Sequence, residues 1–234
     1  MRNLKHGLIV AFSLLFIVSC NNENTPQIKL EKEAISSKWI VNGASDYKSI
    51  EFNNDGSYIV VNGLASDENV YFGNYKIVNN TTISLSDFGT IEVSEISDNS
   101  INFKIQQISS SDETIIKASK QETIVNSNNT ELLCRTWKAI SIDNEAMDNF
   151  IVLFSNAGTY LVDAIIEGDP VTALGTWTWC NSEENKLAFT IENELNCDGI
   201  EIFKDIQLTS NSFIGIDMEN GKPQTFIMEV LVSN

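Results

Sequence analysis

Phe52-Asn53-Asn54-Asp55-Gly56-Ser57-Tyr58 and Phe154-Ser155-Asn156-Ala157-Gly158-Thr159-Tyr160 follow one pattern. An aromatic ends one apolar run, a polar stretch closing on glycine follows, and another aromatic sits in the next run. Asn or Asp near Gly supplies the positive φ of a tight hairpin, so the pattern reads strand, turn, strand. The copies are offset by 102 residues (154 − 52), and that offset also carries Gly73-Asn74-Tyr75 onto Gly175-Thr176-Trp177 and Leu85 onto Leu187.

Upstream of each copy stands a tryptophan, Trp39 and Trp137. Downstream the match resumes as Ile96–Ile101 against Leu208–Phe213, now offset by 112 (208 − 96), so the second copy has gained ten residues in between. A repeat of about 100 residues points to two tandem domains. The expected organisation is residues 37–126, a polar linker at 127–132, and residues 133–234.

Within each copy the apolar runs are short and rich in β-branched and aromatic residues, as in Phe150–Phe154 and Leu187–Ile191. No stretch past residue 19 has a helical period. Short strands in hairpin order predict an all-β fold: two up-and-down antiparallel barrels, a form that leaves no open edges. The ordered set of Trp, Phe-x-x-x-Gly-x-Tyr, Gly-x-Trp/Tyr and an Asn-Ser-Phe-like turn resembles the lipocalin-like domains of Bacteroidota lipoproteins. That resemblance covers most of residues 37–234 and implies eight-stranded barrels with an apolar ligand at the mouth. The copies are short for a wide cup, so side chains filling the interior are the competing expectation.

The N-terminus is read separately. Arg2 and Lys5 precede an apolar run from Gly7 to Val18, too short to span a bilayer but suited to a secretory signal. Ile17-Val18-Ser19-Cys20 matches a bacterial lipobox, with a polar tether after it. Residues 1–19 are thus expected to be a signal peptide and 20–36 an anchor and tether, with Cys20 acylated. The implied location is the cell envelope, at the outer membrane, with either face open.

Composition narrows the functional classes. Removing Arg2 and Lys5 takes the formal charge from −17 to −19, which disfavours nucleic acid and anionic lipid surfaces. The single histidine, His6, lies in the signal peptide, leaving no imidazole for a Ser/His or Cys/His relay or for a zinc site. No phosphate-binding or calcium-binding loop is evident, and no carboxylate pair stands out for glycoside hydrolysis. The expectation is a non-enzymatic protein without cofactor or metal. It would bind a small apolar or amphipathic ligand, or serve as an interaction module of an uptake or adhesion complex whose protein partner the sequence leaves open.

Candidate ligand contacts are Trp137, Tyr160, Trp177 and Trp179. Trp177 and Trp179 share strand parity and so face one side. Strand alternation also places the connections 143–149, 167–170, 193–198 and 219–222 at one acidic end of the second copy.

Three cysteines remain after Cys20: Cys134, Cys180 and Cys197. A strand over residues 186–192 would hold Cys180 and Cys197 roughly 20 Å apart, beyond disulfide reach. The expected bridge is therefore Cys134–Cys180 with Cys197 free, or else three free thiols.

Overall fold

The computed structural model describes residues 28–64, 67–124, 126–166, 168–191, 194–199, 201–219 and 222–231. The expected signal peptide at residues 1–19 and the acylation expected at Cys20 lie outside them. The first repeat contains helix α1 (Lys32–Ile35) and strands β1 (Ser37–Val41), β2 (Tyr47–Phe52), β3 (Ser57–Leu64), β4 (Asp67–Ile77), β5 (Thr82–Leu85), β6 (Gly89–Ile96), β7 (Ser100–Gln107) and β8 (Glu113–Lys120). The second contains helix α2 (Asn128–Leu133) and strands β9 (Thr136–Ile142), β10 (Glu145–Ala146), β11 (Phe150–Phe154), β12 (Thr159–Ile166), β13 (Asp169–Trp179), β14 (Leu187–Thr190), β15 (Ile202–Leu208), β16 (Ser212–Glu219) and β17 (Lys222–Val230). Within each repeat consecutive strands pair antiparallel, β9 pairing with β11, and β1–β8 and β9–β17 contacts close two tandem eight-stranded barrels, with β10 a two-residue appendage on β9.

The repeated motif is turn chemistry. Gly56 and Gly158 sit at φ of 94° and 76°, where a side chain would be strained. Their amides donate to Asn53 O and Ser155 O at 3.0 Å each. The aromatic after each Gly-x pair reaches the same turn: Tyr75 OH donates to Asn53 O (3.1 Å) and Trp177 Nε1 to Ser155 O (2.9 Å). Its ring meets Phe52 or Phe154 edge to face, with centroids 5.1 and 5.9 Å apart. The Phe, Gly and Trp/Tyr positions thus form one local unit used twice.

The short helices differ from the all-strand expectation, and α2 occupies most of the anticipated linker. Ser127 caps α2 by accepting from Thr130 N. Each helix also receives its repeat's first tryptophan: Trp39 Nε1 donates to Ile35 O and Trp137 Nε1 to Leu133 O, both at 2.9 Å. All four side chains are fully buried. Helices this short gain little from their own hydrogen bonds and stand on the apolar residue each sends into a barrel core.

Strand pairing corrects the repeat register. Tyr75 pairs with Leu85, whereas its counterpart Trp177 pairs with Phe189, an offset of 104 (189 − 85) rather than 102. Ile91 opposite Ile83 corresponds to Phe203 opposite Leu187, an offset of 112 (203 − 91). The ten extra residues are therefore two in the β13–β14 turn and eight in the β14–β15 loop.

Those two insertions are joined, which overturns the expected cysteine pairing. Cys180 in the turn is bonded to Cys197 in the loop, with Cα atoms 5.4 Å apart, and Cys134 is the free thiol. The strand order behind the earlier reasoning is retained. The error lay in the strand length: β14 has four residues, not seven, and the following loop is long enough to return alongside it. Asp198 comes within 3.9 Å of Lys186, so this loop leaves the acidic end where alternation had placed it.

The barrels pack against each other through corresponding strands. In β6 and β7 burial alternates, one face inward and one wet. In β11 and β12 it runs continuously over Val152–Phe154 and Thr159–Val162, and in β2 and β3 over Ser49–Phe52 and Ser57–Val61. Ile59 and Val61 meet Leu153 and Leu161 in a cluster separate from either barrel core, flanked by Val70, Phe72 and Leu174. Ile59 and Leu161 occupy equivalent repeat positions (59 + 102), whereas the counterparts of Val61 and Leu153 are Asp163 and Glu51, so the two copies meet through overlapping but unequal patches.

Candidate functional site

The barrel interiors hold the residues picked out from the sequence, and a separate cleft lies where the barrels meet. In the second barrel Phe154 lies 5.3 Å from Tyr160 and 6.4 Å from Phe213, ring centre to ring centre. Phe213 continues to Trp137 at 6.1 Å and Phe203 at 5.3 Å, and Phe203 to Phe189 at 4.8 Å and Phe226 at 5.3 Å. Successive rings thus lie within contact distance of one another, stacked at Phe154–Phe213 and Phe189–Phe203 and tilted or edge to face elsewhere.

All four sequence-selected residues belong to this network. Trp137 and Trp177 are at most 1 % exposed and Tyr160 is 5 % exposed. Trp177 and Trp179 do share a face and meet edge to face at 5.6 Å. Trp179 is partly buried, and its Nε1 donates to Thr130 Oγ1 at 3.0 Å, tying β13 to α2. Each indole N–H of the barrel is thus engaged by protein. The first barrel likewise buries Trp39, Tyr47, Phe52, Tyr58 and Phe103 among the side chains of one cluster. Burial pushes the Tyr58 hydroxyl up to about 12 and raises that of Tyr160 as well. Burial likewise raises the Cys134 thiol, which keeps it protonated and a poor nucleophile.

The second place was not anticipated from sequence. A half-open cleft of about 260 Å³ lies between the barrels, lined in part by Ser37, Lys38, Glu51, Phe52, Lys120 and Asn156. Glu51 is 2 % exposed and Ser37 5 % exposed. Thr159 donates to Glu51 Oε2 at 2.7 Å and itself accepts from Lys38 Nζ at 3.1 Å. Glu51 Oε1, Ser37 Oγ and Asn156 Oδ1 are buried without a hydrogen-bond partner among the described residues. Burial raises the Glu51 carboxyl above its ordinary value, against the opposing pull of Lys38.

Glu51 is buried because the outward face of β2 becomes the inter-barrel surface. One signal could have shown this: the equivalent position of the second copy (51 + 102) is Leu153, apolar on a face that would be wet in an isolated barrel. Ser37 and Asn156 carry no comparable signal.

The chain matches no protein-family model, and no curated protein matches it.

Proposed function

We propose that this chain is a lipid-anchored envelope protein whose paired, filled barrels form a rigid interaction module, an accessory part of an uptake or adhesion assembly rather than a carrier of apolar ligands. The supporting observation is the ring-to-ring packing of the second barrel, in which the four candidate ligand contacts spend their faces and N–H groups on one another and on the protein. A carrier would present an apolar cavity of several hundred Å³ with unoccupied walls. The lipobox at Cys20 supports attachment to the envelope, and the absence of histidine from residues 7–234 removes the commonest general base and metal ligand from any catalytic reading.

The test is made on the full chain in its native membrane. A photo-crosslinker at the exposed Ile115 (72 % accessible) should trap one discrete protein partner. Solvent extraction of the purified chain should release no stoichiometric lipid beyond the acyl anchor. A stoichiometric free lipid with no crosslinked protein would overturn the proposal.

A further inference from the structure

The two barrels close differently. Trp39 and Trp137 are equivalent, an offset of 98 (137 − 39), so Asn42-Gly43-Ala44 stands where the second repeat has Ile140-Ser141-Ile142. In the second barrel those three residues complete β9. β17 pairs with β9 from Trp137 to Ile142, and Asp143 N donates to Thr225 O beyond it. In the first barrel Gly43 takes a φ of 81° and the chain turns away. β1 therefore meets β8 only from Trp39 to Val41, and the last bond runs from Asn42 N to Lys117 O at 2.8 Å.

β8 nevertheless extends back to Glu113, held there by β7 alone. The Asn42–Lys117 bond sets the alternation: Glu113, Ile115 and Lys117 aim their backbone groups at the vacated position, while Thr114 and Ile116 aim theirs at β7. Among the described residues, no backbone group pairs with Ile115 on that side. Where β1 would continue lies a cleft of about 640 Å³, walled by residues 114–117 on one side and residues 41–48 on the other. The Ile115 side chain at this edge is 72 % accessible.

We propose that this slot takes an extended peptide of a partner protein as an added strand, with apolar residues at alternate positions and acidic residues between them. An unpaired strand edge is a template for such addition. β2 stands on the far side of the vacated position, so there is room for one strand and not for the edge of a second sheet. The apolar alternation is what the second barrel itself places there, as Ile140-Ser141-Ile142. The acidic preference comes from the charged lining, Lys48 and Lys117 against Asp46, net positive in a mature chain of formal charge −19. The inference rests on the interaction-module reading and gives that module a docking mode.

The probe is fluorescein-labelled Thr-Ile-Glu-Ile-Glu-Ile-Thr, added to the full-length chain and followed by anisotropy and NMR amide exchange. One peptide should bind per chain, and exchange at Ile115 should slow at least tenfold. Ile115→Pro removes the free N–H without touching the β7 ladder. The triple variant Asn42→Ile, Gly43→Ser, Ala44→Ile lets β1 fill the slot itself. Each should weaken binding at least tenfold, as should lysine in place of both glutamates of the peptide. If the proline variant misfolds, the triple variant decides. No saturable binding, undiminished binding in the triple variant, or equal affinity for the lysine peptide would overturn the inference. Slow Ile115 exchange before peptide is added would overturn it by giving the edge to another part of this chain. A dimer in sedimentation that the triple variant abolishes would overturn it by giving the slot to a second copy. A protein trapped at Ile115 in the native membrane, with no peptide binding, would leave the module reading standing and sink this inference alone.

Discussion

Asp55 joins the two barrels at Thr136: its Oδ2 accepts from Thr136 N at 2.7 Å and from Thr136 Oγ1 at 2.8 Å. The same carboxylate holds its own turn through Oδ1, which accepts from Ser57 N and Oγ at 2.9 and 2.7 Å. One side chain thus shapes the first copy's signature turn and fixes the start of β9. Its counterpart in the second copy is Ala157, so the bridging function belongs to one repeat only.

Asp55→Ala should lower stability by about 2 kcal/mol or more, since hydrogen bonds to a charged group carry about 1.5–3 kcal/mol and the Thr136 amide would lose its partner. Urea unfolding of the full chain measures it. A loss under about 0.5 kcal/mol would mean that the inter-barrel contact does not depend on Asp55.

The Cys180–Cys197 bridge closes a loop with a sequence separation of 17 and staples the two insertions of the second repeat. A loop of that size implies about 3 kcal/mol of stabilisation, and Cys197→Ser should cost approximately this amount. Non-reducing peptide mapping should recover a Cys180–Cys197 linked peptide, with Cys134 alkylated only after denaturation. A Cys134-containing bridge would contradict the assignment.

The pH dependence follows from Glu51. Folding raises its carboxyl above the ordinary 4.5, so the folded chain holds that proton more tightly than the unfolded chain does. The group's contribution is therefore most favourable below 4.5 and is lost as pH rises toward the folded value. Glu51→Gln removes this dependence, and its stability relative to wild type should be higher at pH 7 than at pH 4. Urea midpoints at the two pH values test this, and an equal difference at both would show that Glu51 does not titrate with folding.

Residues 130–234 contain their own core and the last four residues of α2, and a domain of about 100 residues can hold itself together. This fragment should unfold cooperatively but below the full chain's stability, because Leu153 and Leu161, both fully buried against the first barrel, become wet. A fragment with no thermal transition would show that the repeats share one folding unit.

Legibility in the sequence followed how local each interaction is. The hairpins around Gly56 and Gly158, the aromatic partners and the closed barrels were readable because each rests on residues a few positions apart or on strand alternation. The helices were not, because Lys32–Ile35 and Asn128–Leu133 are stabilised by tryptophans that follow them and not by any period of their own. The disulfide failed on a strand boundary: Ile191 and Glu192 continue an apolar-polar alternation, yet pairing stops at Thr190. The cleft was invisible because it depends on which outer faces of two barrels meet, a relation between residues about 100 positions apart.

The packing of the interiors is tested most directly by the tryptophans, four in the chain and three of them at most 1 % exposed. Tryptophan emission and acrylamide quenching are recorded for the chain from Asn21 onward, with and without added oleate. The expected result is blue-shifted emission with weak quenching, both unchanged by oleate. A saturable change at one or two oleates per chain would contradict filled barrels and restore the carrier reading.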